Sequence, residues 1–82
     1  MEKFDLGYSK LVATNPKLIY CSITGFGTSD LAASLPGYDL LVQGMSGLMS
    51  ITGSDSDNPT KVGVALVDVI TGLHAVVGIL AA

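Results

Sequence analysis

Arginine and tryptophan are absent from this 82-residue sequence, and cysteine and histidine occur once each, as Cys21 and His74. With Lys3, Lys10, Lys17 and Lys61 as the only permanent side-chain cations and a formal net charge of -3, no basic stripe exists to follow a phosphate backbone, which excludes nucleic-acid binding. A single cysteine cannot close an intramolecular disulfide, and one Cys with one His cannot supply the four ligands of structural zinc, so no metal site is expected. The start, Met1-Glu2-Lys3-Phe4-Asp5, lacks the apolar stretch of a secretory signal. Cys21, set in Ile19-Tyr20-Cys21-Ser22-Ile23, reads as a buried thiol of a reducing compartment, and a cytoplasmic location is the expectation. Also missing are a phosphate-binding Gly-Lys-Ser/Thr, a Gly-x-Ser-x-Gly elbow and a His-Glu pair at helical spacing.

Charge is scarce too, at 13% of residues against roughly 25% in an average soluble domain. What fills the sequence is apolar: 49% hydrophobic side chains and a mean hydropathy of +0.58. Such a chain is neither disordered nor multidomain, and it is built to be covered by more protein. Residues 62–82 approach the roughly 20 apolar residues of a membrane span. Asp68 in their midst argues against that reading, because a carboxylate there costs about 2.5 to 3.5 kcal/mol on insertion scales, and no Lys or Arg follows to anchor the far end.

Residues 6–12 can hold a short surface helix, which must stop before Asn15-Pro16. Lys17 to Thr24, rich in β-branched and aromatic residues and ending at Gly25-Phe26-Gly27, has the profile of a buried strand feeding a glycine-rich turn. A loop is expected over Thr28–Pro36. Leu41, Met45, Leu48 and Met49 recur at helical spacing, so residues 38–51 read as a helix weakened by Gly44 and Gly47. Gly53-Ser54-Asp55-Ser56-Asp57-Asn58-Pro59 is an exposed loop whose acidic pair is simply solvated. Lys61 to Leu66 runs extended, Asp68 stands where a helix begins, and Leu73, Val76, Val77 and Leu80 fall on one face beyond it. This alternation implies an α/β class: a partial Rossmann-like unit with one clear buried strand and about three helices.

Asp68 is the most informative residue. A lone carboxylate flanked by Val64-Ala65-Leu66-Val67 and Val69-Ile70 loses hydration, whereas a helix N-terminus favours the anion. It reads as either an N-cap or a catalytic group, and spacing alone leaves both open. His74 reads as a core or interface histidine. Tyr38 packs with its hydroxyl outward and Asp39 caps the middle helix, while Met45 and Met49 fill core.

The order of four landmarks goes further. Asn15-Pro16 through Gly25-Phe26-Gly27, then Pro36-Gly37-Tyr38-Asp39, then Gly47 to Gly53, then Lys61-Val62-Gly63-Val64-Ala65 with Asp68 and Thr71-Gly72, closely resembles the family III CoA-transferases of CaiB/BaiF type. Formyl-CoA transferase belongs to that family, and α-methylacyl-CoA racemase is a relative. The resemblance implies transfer of CoA from an acyl-CoA to a carboxylic acid, with coenzyme A thioesters as substrates and no permanently bound cofactor. It makes Asp68 the nucleophile, through an aspartyl-CoA thioester, and Tyr38 an active-site tyrosine. The racemase branch resembles this chain less, since it carries a histidine where Tyr38 stands. Cofactor-binding residues are not assigned. The family's usual Gly-Pro after Gly-Phe-Gly is replaced by Thr28-Ser29-Asp30-Leu31. Members are far longer and pair as interlocked homodimers, so residues 1–82 are expected to be a fragment of the large CoA-binding domain, inactive in isolation. The competing expectation is a noncatalytic packing module in which Asp68 is only a cap.

Overall fold

Proline and glycine set several of the element boundaries in the computed structural model, which describes residues 1–82. Helix α1 (Tyr8–Thr14) ends at Asn15, whose backbone turns extended ahead of Pro16. Asn15 then closes a tight turn, its carbonyl accepting from Leu18 N at 3.0 Å and its side-chain oxygen from Lys17 N at 3.1 Å. Helix α2 (Asp39–Met45) stops where Gly47 adopts φ 83°, and a 3₁₀ turn (Leu48–Ile51) follows. The single helix expected over 38–51 is therefore broken in two at the glycine able to turn left-handed. Helix α3 (Leu66–Ala81) is the longest element. A 3₁₀ turn (Glu2–Phe4) opens the chain.

No strand forms, so the α/β expectation is wrong and the architecture is all-helical. Residues 18–24, expected to be a buried strand, form no regular element, and no second strand lies beside them to complete a ladder. β propensity selects an extended backbone; a strand needs a partner. The segment is held by side chains instead. Tyr20 donates its hydroxyl to Leu6 O at 3.2 Å, and its ring meets that of Tyr8 with centroids 5.7 Å apart. Cys21, expected to be buried, is exposed for the same reason.

Further along, Gly25 and Gly37 cross backbone to backbone so closely that a Cβ on either would collide with the Cα of the other. Only a glycine pair permits that crossing, which brings the end of residues 18–24 against the approach to α2. The acidic loop over 53–59 is exposed, as expected, and Asp55 organises it. Asp55 accepts from Asn58 Nδ2 at 2.7 Å, Ser54 Oγ at 3.1 Å and Asp57 N at 3.1 Å. The Asn58 and Ser54 hydrogen bonds hold its carboxyl below the usual range.

The molecule is spread out, 53 × 29 × 15 Å, with a radius of gyration of 16.5 Å where a compact chain of this length has about 12 Å. Its surface of 6474 Å² exceeds the roughly 4600 Å² expected of a folded monomer of 8.4 kDa. No hydrophobic residue is fully buried. Met45, assigned to the core by its spacing, is exposed, as are Leu73, Val76, Val77 and Leu80, which do share one face of α3. No helix is long and apolar enough to cross a membrane.

Without a core, cooperative unfolding has no basis. The purified chain is expected to bind an apolar fluorescent dye and to melt over a broad range by circular dichroism. A sharp sigmoidal transition without dye binding would contradict this structure.

Candidate functional site

Helix α3 starts at Leu66 behind Ala65, which has no side chain able to cap it. The missing acceptor comes from another element. Asp39, at the start of α2, points Oδ1 at α3 and accepts from Val67 N at 2.7 Å and Asp68 N at 3.4 Å. Its Oδ2 accepts from Gln43 Nε2, one turn along α2, at 2.6 Å. Gln43 is 1% exposed and reaches the chain that leads into α3: its Oε1 accepts from Val62 N at 2.9 Å, and its Nε2 faces Val64 O at 3.4 Å. Asp39 and Gln43 thus fasten the start of α3 to α2.

Asp68 is consequently not the N-cap. It occupies the third position of α3 and is exposed, so the loss of hydration expected from its apolar neighbours does not occur. The chain's one ion pair joins Lys10 to Asp5 at 2.7 Å, well away in sequence, and Asp68 has neither a cation nor a hydrogen-bond donor on its carboxylate. Its lone pairs are free, and it lies at the positive end of α3. An unpaired carboxylate so placed is available for attack on an electrophile.

Asp68 opens onto a cleft of about 370 Å³ between α3, α2 and residues 23–25, lined also by Thr24, Gly25, Gly37, Val42, Thr71 and others. The lining has no cation, two hydroxyls and three glycines, counting Gly72. The crossing of Gly25 and Gly37 forms one wall and leaves backbone there without side chains. A second groove continues along the seam, where Cys21 to Thr24 run beside Ile70, Thr71, His74 and Ala75. His74 is exposed on it, with Nδ1 at 2.9 Å from Ile70 O. Because a carbonyl only accepts, Nδ1 carries the proton. His74, being exposed, is therefore not a core residue of this chain.

Tyr38 lies elsewhere. It is 72% exposed and lines a separate apolar groove with Leu40, Leu41, Gly44, Met45 and Met49. The two residues singled out by resemblance, Asp68 and Tyr38, therefore open onto different surfaces. They are linked through Asp39, the neighbour of Tyr38 that caps Asp68's helix. Sequence reasoning assigns Asp39 to its own helix and overlooks Gln43. The available signal is the only glutamine in the sequence, set four residues after an aspartate in an otherwise apolar stretch.

The sequence model of CoA-transferase family III matches residues 1–82. Succinate–glutarate CoA-transferase of Agrobacterium fabrum is 54% identical over all of this chain, which covers 20% of that protein. Succinyl-CoA:mesaconate CoA-transferase of Haloarcula hispanica is 46% identical, again over the whole chain and 22% of the relative. Human succinyl-CoA:glutarate CoA-transferase is 43% identical over 99% of this chain and 18% of its own length. Among solved structures, a CaiB/BaiF family protein from Brucella suis superposes with a TM-score of 0.86 at 49% identity, over 98% of this chain and 21% of that one. The chain spans about a fifth of the length of these relatives.

If Asp39 is the cap of α3, Asp39→Ala should weaken the start of that helix by about 1 kcal/mol. The check is amide hydrogen exchange, which should speed up at Val67, while Asp68→Asn should leave exchange there unchanged. Equal effects of the two substitutions would return the capping role to Asp68.

Proposed function

We propose, from the premise that this chain belongs to CoA-transferase family III, that it is the nucleophile-bearing segment of the CoA-binding domain of an enzyme that moves CoA between carboxylic acids. The observation that carries this reading is the unpaired Asp68 carboxylate on the first turn of α3, beside a cleft without cations. A carboxylate held in an ion pair would be a weaker nucleophile; Asp68 has no such partner.

In the proposed reaction an Asp68 oxygen attacks the carbonyl carbon of the acyl-CoA thioester, the C–S bond breaks, and CoA leaves as a thiolate. The product is a mixed anhydride. The thiolate then attacks the Asp68 carbonyl and expels the donor carboxylate, leaving an aspartyl-CoA thioester. The acceptor carboxylate repeats the two steps in reverse and frees Asp68. Bonds and charge balance without a net proton, which suits a site with no general base beside Asp68. Each carbonyl addition puts negative charge on an oxygen, and backbone N–H groups are the natural donors in a glycine-walled cleft without cations.

The relatives' names carry succinate, glutarate and mesaconate, so dicarboxylates are the acceptor class proposed here. The Asp68 cleft has no Lys or Arg to hold a second carboxylate. Acceptor choice then rests with groups outside this segment, and so does Tyr38's contribution, since its groove is a separate apolar surface. Alone, the chain leaves Asp68 open to water, which would hydrolyse an activated aspartyl group, and transfer by the isolated chain is not expected.

The test is a chimera in which this chain replaces the matching fifth of the Agrobacterium fabrum relative. Incubated with succinyl-CoA and hydroxylamine, it should give a hydroxamate at Asp68 by mass spectrometry, and Asp68→Ala should lower turnover at least about a thousandfold. The isolated chain should give no hydroxamate. A chimera whose Asp68→Ala variant still transfers CoA would end this assignment.

A further inference from the structure

Gln43 is the one fully buried side chain of the molecule, yet it touches neither the Asp68 cleft nor the Tyr38 groove. Burying a primary amide is costly unless both ends are satisfied, and here both are. The two ends are not interchangeable. The oxygen must face Val62 N–H, 2.9 Å away, because a backbone amide only donates. The NH₂ must face Val64 O and the Asp39 carboxylate, because both only accept. This fixed polarity dictates what may stand at position 39. Only a group accepting at both oxygens can take a hydrogen bond from Gln43 on one and from Val67 N–H on the other.

We infer that Gln43 is a positioning residue for the nucleophile, acting through Asp39. It orients the Asp39 carboxylate, which in turn fixes the first turn of α3 and so the place of Asp68 in the cleft. The inference rests on the assignment of Asp68 as nucleophile. It adds a residue that touches no substrate and sets where the attacking oxygen stands. Displacing that oxygen by as little as 1 Å is enough to cost about a hundredfold in rate.

The polarity argument yields a test that simple destabilisation would not pass. Gln43→Glu alone sets a carboxylate against the Asp39 carboxylate. Asp39→Asn alone sets an NH₂ against the NH₂ of Gln43. Each single variant loses the link between 39 and 43. The double variant Asp39→Asn with Gln43→Glu reverses the polarity of that link and remakes it. The carboxylate introduced at position 43 still accepts from Val62 N–H, and the amide oxygen introduced at position 39 still accepts from Val67 N–H. The cost is at Val64 O, which then faces a carboxylate oxygen in place of the NH₂ 3.4 Å away, so recovery is expected to be partial; the net charge is unchanged, the carboxylate having moved from position 39 to position 43.

In the chimera, each single variant is expected to lower kcat by about a hundredfold with little change in KM for succinyl-CoA. The double variant should be clearly more active than either single and regain slow amide exchange at Val67. Singles that match the unaltered chimera, or a double no better than its singles, would overturn the inference. The Asp68→Ala variant, run alongside, separates the two claims. If it keeps its activity, the nucleophile assignment fails; if it is inactive while the singles are unimpaired, only the role of Gln43 fails.

Discussion

Two side chains on one short helix hold this molecule in register. Asp39 and Gln43 lie four residues apart on α2, hydrogen-bond to each other, and between them engage Val62, Val64, Val67 and Asp68 on the approach to α3 and its first turn. Hydrophobic burial normally does this work, but no apolar side chain here is fully buried. A hydrogen bond of this kind gains strength as water is excluded, and the amide at its centre is the most enclosed side chain in the protein. The consequence is local order without global cohesion: one well-defined helix junction in an otherwise spread-out chain.

The surroundings of Asp68 follow from that junction. With the cap supplied by Asp39, Asp68 is spared from capping and keeps its carboxylate free at the start of α3. The cleft beside it owes its shape to a second constraint, the crossing of Gly25 and Gly37, which tolerates no side chain on either residue. One contact places the carboxylate and the other leaves room in front of it. Apolar faces elsewhere, such as Leu73, Val76, Val77 and Leu80 along α3, remain open. That agrees with a chain spanning about a fifth of its relatives' length.

Much of the local structure is legible from residues. Asn15-Pro16 ends α1, and the cluster around Asp55 makes a loop. Helical spacing after residue 66 announces α3, and four ordered landmarks announce the family. The errors share one origin. Lys17 to Thr24 reads as a buried strand and Cys21 as a buried thiol, because apolar, β-branched composition describes a backbone shape and a wish for cover. Neither the pairing strand nor the covering layer is encoded in the segment itself. Gly47 is visible as a weak point in a helix, but whether it bends or breaks the helix depends on φ, which at 83° breaks it.

The turns at Asn15-Pro16 and around Asp55, the helical period after residue 66 and the isolation of Asp68 among apolar neighbours all follow from proline, glycine and hydrophobic spacing. What Asp68 is free to do follows instead from the folded arrangement of α2 against α3. Capping depends on which acceptor reaches the open N–H groups of α3, and that acceptor came from a residue 28 positions before Val67. No pattern near Asp68 could have named it. A hydrogen bond across that separation exists only once the chain between has folded back to bring α2 against α3.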